Sequence, residues 1–64
     1  MGKLGENLRA VRNEKELTQE QVAERSGVQA GEISRIERGQ RDPQVSTLLK
    51  LAKALGVKPG KLLE

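Results

Sequence analysis

The stretch Leu17-Thr18-Gln19-Glu20-Gln21-Val22-Ala23-Glu24-Arg25-Ser26-Gly27-Val28-Gln29-Ala30-Gly31-Glu32-Ile33-Ser34-Arg35-Ile36-Glu37-Arg38-Gly39 decides how this chain folds. Thr18 and Gln21 stand at the spacing of a capping box, which predicts that a helix begins there. Val22 and Ala23 follow as its inward residues. Gly27 ends that helix, because glycine takes left-handed dihedrals at little cost. Val28 anchors the turn. A second helix is then predicted over about 29–38, with Gly39 as its stop.

That second helix has two different sides. At about 100° per residue, Ile33 and Ile36 fall within roughly 60° of each other. Gly31, Ser34, Arg35 and Arg38 gather around the opposite side, with Ala30 and Glu32 on the flanks and Gln29 at the entry end. The outward face is therefore small in its first half and basic in its second. A glycine inside a helix costs about 1 kcal/mol relative to alanine. Close approach of another surface is one reason to carry it; a tolerated weak helix former is the other reading.

Working outward, Leu4, Leu8 and Val11 recur at helical spacing and predict a first helix over about 3–15. Beyond the polar loop 40–43, a fourth helix is predicted from about Gln44 to Leu55. Val45, Leu48, Leu51, Ala52 and Leu55 form its apolar stripe, and Gly56 stops it. Lys58-Pro59 opens a last short helix through Leu63, since proline suits a first helical turn. Nowhere does apolar/polar alternation run with β-branched or aromatic residues, so no strand is expected. The expected architecture is all-α: a compact five-helix domain, one domain over 1–64.

Composition narrows the function classes. The 64 residues include no Phe, Trp, Tyr, Cys or His. The core must be aliphatic, and a chain this short buries only about 60% of its unfolded surface. Disulfides, zinc-finger sites and histidine catalysis are excluded. No phosphate-cradling Gly-x-x-x-x-Gly-Lys is present. The carboxylates Glu14 and Glu16 lie in a polar helix end with no evident pocket. Hence no catalytic residue, metal, cofactor or small-molecule ligand is expected, and the chain is not read as an enzyme. No apolar run approaches the roughly 20 residues that span a bilayer. Met1-Gly2-Lys3 followed by Leu4-Gly5-Glu6-Asn7 is not a signal peptide, so a cytoplasmic protein is expected.

The net charge is +3. Residues 1–32 carry five basic and six acidic side chains, whereas residues 33–64 carry seven and three. The basic excess begins on the second helix of the quoted stretch, and nucleic acid is the natural partner for such an asymmetry. A solvated charged surface is the plainer alternative.

The segments Leu17 to Ala23, Gly27-Val28 and Ile33-Ser34-Arg35-Ile36-Glu37-Arg38-Gly39 resemble the core signature of the phage-repressor and Cro-like helix-turn-helix family, also called the xenobiotic-response-element type. Pro43 and Leu48-Leu49-Lys50-Leu51-Ala52-Lys53-Ala54-Leu55-Gly56-Val57 resemble its fourth helix and turn. The likeness extends from about Leu4 to Leu63. It implies a lambda-repressor-like domain that binds double-stranded DNA at near-palindromic operators, usually as a two-fold dimer, and so a transcriptional regulator acting as a repressor. The resemblance implies a phosphate contact at Gln19 and a second phosphate clamp at Arg38, Gln40 and Arg41. Its base-reading positions match Gln29, Ala30, Gly31, Ser34 and Arg35. It also implies an ion pair between Arg12 and Glu37.

The side chains fit those roles unevenly. The fork of Arg35 suits guanine O6 and N7, Gln29 suits adenine, and Ala30 suits a thymine methyl. Glu32 either accepts from a cytosine amino group or counters the helix N-terminus. Gln29 stands where the family usually has a Ser or Thr cap. Ala30 and Gly31 stand where it often has long polar residues, which removes two potential base contacts. Val57, Leu62 and Leu63 are candidate contacts for a weak homodimer. The same fold also serves antitoxins, restriction-system controllers and protein-interaction or coactivator modules without base readout, and the residues leave these alternatives open.

Overall fold

The computed structural model describes residues 3–64; Met1 and Gly2, the start of the stretch read above for a signal peptide, lie outside the described residues. Five helices follow one another: α1 (Leu4–Glu14), α2 (Gln19–Ser26), α3 (Ala30–Glu37), α4 (Val45–Leu55) and α5 (Pro59–Leu63). Among the described residues there is no strand.

Local chemistry sets the ends of these helices. At the start of α2, Thr18 Oγ1 accepts the Gln21 N–H at 3.0 Å, and Gln21 Oε1 accepts the Thr18 N–H at 2.8 Å. This reciprocal box satisfies two backbone donors that a helix start otherwise leaves open. Gly27 (φ +78°) closes α2 by donating its N–H to the Ala23 carbonyl at 2.8 Å. The Val28 N–H then donates to Ser26 Oγ at 3.0 Å, which turns the chain into α3.

The end of α1, capped at Lys15, falls where the spacing of Leu4, Leu8 and Val11 puts it. Glu16 N–H donates to the Asn13 carbonyl at 3.0 Å and Leu17 N–H to that of Arg12 at 3.1 Å. This is a Schellman closure, but Glu16, not glycine, holds the left-handed position at φ +57°.

The core is aliphatic throughout. Leu4, Leu8 and Val11 of α1 meet Val22, Ile33, Ile36, Leu48, Leu51, Ala52 and Leu55, with Leu17 and Val28 closing the linkers and Leu62 the last turn. Helix α1 lies against α3 and α5, α2 lies against α3 and α4, and α4 lies against α5. Each such side chain, fully buried, contributes about 1.5–3 kcal/mol.

Two expectations are corrected. Val45 does not belong to the inward stripe of α4: it is the first helical residue and is 72% exposed, so the buried stripe begins at Leu48. Leu62 is not available to a partner chain. It is fully buried in the core, and its carbonyl receives Asn7 Nδ2 of α1 at 3.0 Å.

One contact has no counterpart in the hydrophobic pattern. Gly5 of α1 is buried under the C-terminal end of α3. A Cβ there would overlap the Ile36 carbonyl oxygen and lie 2.9 Å from that of Glu37. The two backbones approach this closely only because position 5 has no side chain.

Candidate nucleic-acid interface

Helix α3 turns Ile33 and Ile36 into the core, at 0% and 1% exposure. On its other side Gln29, Gly31, Arg35 and Arg38 are exposed, while Ala30 and Ser34 are half-buried. A Cβ built at Gly31 meets nothing within 4 Å, so packing inside the domain does not require glycine there. Gln29 occupies the N-cap position without capping through its side chain. Its backbone carbonyl accepts the N–H groups of Glu32 and Ile33 at 3.0 and 3.1 Å, which leaves the side chain directed by other forces.

The far end of α3 is tied down. Arg38 Nε donates to the Ser34 carbonyl at 3.3 Å, placing a cation where the helix dipole is negative. Gly39 N–H donates to the Ile36 carbonyl at 3.0 Å and Gln40 N–H to that of Arg35 at 2.9 Å. The exposed residues Gln40 and Arg41 therefore leave from the same end of α3 that carries Arg35 and Arg38. Arg41 folds back along the helix, with Nε 3.5 Å from Glu32 Oε1.

Beneath this surface lies an ionic hub. Arg12 Nε donates to Glu37 Oε2 at 2.7 Å and Arg12 Nη2 to Glu37 Oε1 at 3.0 Å. Arg12 Nη1 donates to the Leu17 carbonyl at 2.8 Å, and Gln19 Nε2 donates to Glu37 Oε1 at 3.1 Å. The two charged side chains are 12% and 4% exposed. The hydrogen bonds it donates to Glu37 raise the Arg12 pKa above its ordinary value, so the guanidinium stays charged despite burial. One carboxylate thus joins α1, the start of α2 and the end of α3.

The structure exposes Gln29, Gly31, Arg35, Arg38, Gln40 and Arg41, leaves Ala30 and Ser34 half-buried, and seats Gln19 against Glu37. Sequence reading missed Gly5, Asn7, Glu16 and the pairing of Glu32 with Arg41. Of these, only Gly5 carried a signal: a poor helix former set between Leu4 and Leu8 on an apolar face. Among the described residues no group of three His, Cys, Asp or Glu side chains is placed to hold a metal ion, and no helix is long and apolar enough to cross a membrane.

A family model described as helix-turn-helix matches residues 8–62. The chain is 52% identical over 58 residues to the HTH-type transcriptional repressor RghR of Bacillus subtilis, covering 89% of this chain and 43% of that one. It is 48% identical over 60 residues to the control protein C.SmaI of Serratia marcescens, covering 94% of this chain and 71% of that one. Its fold superposes on the crystal structure of the restriction-modification controller protein C.AhdI from Aeromonas hydrophila with a TM-score of 0.91. That alignment has 42% identity and covers 94% of this chain and 91% of the controller. The chain thus spans less than half of the Bacillus relative and most of the two controllers.

Proposed function

The chain belongs to the helix-turn-helix family, in its phage-repressor and Cro-like branch, and from that premise we propose how it reads DNA. It is a DNA-binding transcriptional regulator. Helix α3 enters the major groove of a near-palindromic duplex. The observation that supports this geometry is the split face of α3: two isoleucines wholly buried, two arginines in solvent, and an exposed Gly31 with open space over it.

Gln19, Arg38, Gln40 and Arg41 grip phosphates on either side of that helix and set its register without reading sequence. Gln19 keeps one amide hydrogen on Glu37 and offers the other to a phosphate oxygen. Arg35 reads guanine through O6 and N7, and Gln29 reads adenine. Ala30 and Ser34 add short contacts, and Gly31 lets the backbone come close to the base edges. Two copies bind the operator and meet each other through Val57, which is half-buried, and Leu63, which is exposed. Repression follows where the operator overlaps a promoter, and the site of action is the cytoplasm.

Fluorescence anisotropy with a randomised duplex pool, followed by selection of bound sequences, tests this reading. The expected result is salt-sensitive affinity and a near-palindromic selected site. Absence of salt-sensitive duplex affinity overturns it. Similarity to two controller proteins favours a second reading, in which the regulated gene belongs to a restriction-modification system. A methyltransferase and nuclease gene pair beside this gene would support it.

A further inference from the structure

We propose that Glu32 is a specificity-determining residue that acts by competing with DNA phosphate for Arg41, an inference that rests on the reading of α3 as the DNA-facing helix. Glu32 lies in the first turn of α3, and Arg41 comes from the loop beyond its last turn. Their charged groups nevertheless meet, Arg41 Nε to Glu32 Oε1 at 3.5 Å, with side chains 56% and 24% exposed. The carboxylate lies beside the Nε edge of that guanidinium, one of the edges that an incoming phosphate oxygen would take.

A duplex that recruits Arg41 through its Nε edge must break this pair. Breaking it leaves an unpaired anion on the flank of α3, beside the face proposed to meet the DNA, and that anion needs a donor. Among base edges in the major groove, the cytosine N4 amino group is a donor that a carboxylate takes. A duplex with cytosine opposite Glu32 recovers what the broken pair costs. A duplex with guanine or thymine there leaves Glu32 facing acceptors and phosphates, and adenine offers its N6 donor only beside the N7 acceptor. The exchange therefore lowers affinity for general duplex more than for a site with cytosine at that position, although Glu32 adds no cation of its own.

Four proteins test this: wild type, Glu32→Gln, Arg41→Gln and the double variant, each checked for unchanged helicity and melting. Affinity is measured by anisotropy on a randomised duplex pool, and each protein is used to select sequences. Glu32→Gln is expected to raise affinity for the pool about twofold to fivefold, the range of an exposed ion pair. In the Arg41→Gln background the same change is expected to give a smaller gain, because only the repulsion between the carboxylate and the duplex is then relieved. A cytosine preference at one position is expected in the wild-type selection and lost in that of Glu32→Gln. No gain, an equal gain in both backgrounds, or identical selections overturns the proposal. Duplex affinity retained by wild type in any of those cases leaves the broader DNA-binding reading standing. Wild type without salt-sensitive affinity overturns both.

Discussion

Arg12 of α1 grips both carboxylate oxygens of Glu37 in α3, at 2.7 and 3.0 Å, and the same carboxylate accepts the amide of Gln19 at 3.1 Å. The pair is structural: it ties α1, the start of α2 and the end of α3 together. Removing one partner strands a nearly buried charge, which typically costs about 3–5 kcal/mol. Glu37→Gln is therefore expected to lower the unfolding free energy by that amount in urea denaturation. A change within about 1 kcal/mol, the range of exposed pairs, would show that the hub contributes no more than a surface contact.

Gly5 and Gly31 both sit inside helices, and alanine should act on them in opposite directions. At Gly5 the new methyl meets the backbone oxygens of Ile36 and Glu37, which cannot step aside as a flexible side chain would. Gly5→Ala is expected to destabilise by about 1–3 kcal/mol. At Gly31 there is open space, so Gly31→Ala should stabilise by about 1 kcal/mol through helix propensity. Thermal melts of the two variants check the contrast. If Gly31 serves close backbone approach to DNA, the same stabilised variant binds duplex more weakly.

Glu16 closes α1 at φ +57°, where a side chain with a Cβ is strained. Glu16→Gly relieves that strain, offset in part by the greater freedom of glycine in the unfolded chain. A net gain of about 0.5–1 kcal/mol is expected in the unfolding free energy. A loss would mean that the Glu16 side chain contributes elsewhere.

Arg35 and Arg41 are both exposed and both basic, but their proposed roles differ. Arg35→Ala is expected to cost about 1–3 kcal/mol on the selected operator and to relax specificity at one base position. Arg41→Ala is expected to weaken all duplexes alike and to reduce the log–log salt slope by about 1. Anisotropy titrations over a salt series separate the two. Equal behaviour of both variants would contradict the division between base and phosphate contacts.

Leu62 and Leu63 are neighbours with opposite environments, fully buried and 49% exposed. Leu63→Glu is expected to weaken self-association in sedimentation equilibrium while leaving the fold intact. Leu62→Glu should unfold the domain, because it places a charge in an aliphatic core. Unchanged association in Leu63→Glu would move the dimer contact elsewhere, with exposed Val45 and Leu49 of α4 the next surface to probe.

The helices themselves were legible because their causes are local. The Thr18–Gln21 box, Gly27, Gly56 and Pro59 act within one turn of chain, and the 3.6-residue period of Leu4, Leu8 and Val11 or of Ile33 and Ile36 says which side is buried. The outward set of α3 followed from the same period. Val45 misled because the period continues to the end of a helix whether or not a neighbour reaches it. Leu62 misled because a five-residue helix has too few positions to show which side faces in.

The amino-acid order alone determined the five helices, the capping box of α2, the glycine stops after α2 and α4, most of the aliphatic core and the split face of α3. Only the tertiary structure decided that Gly5 lies under the Ile36 carbonyl, that Gln19 shares the Glu37 carboxylate, that Glu32 holds Arg41 and that Leu62 is interior. Those relationships depend on the angles and distances at which helices cross. Residues far apart in the chain set these jointly through packing, and no window of one or two turns contains them.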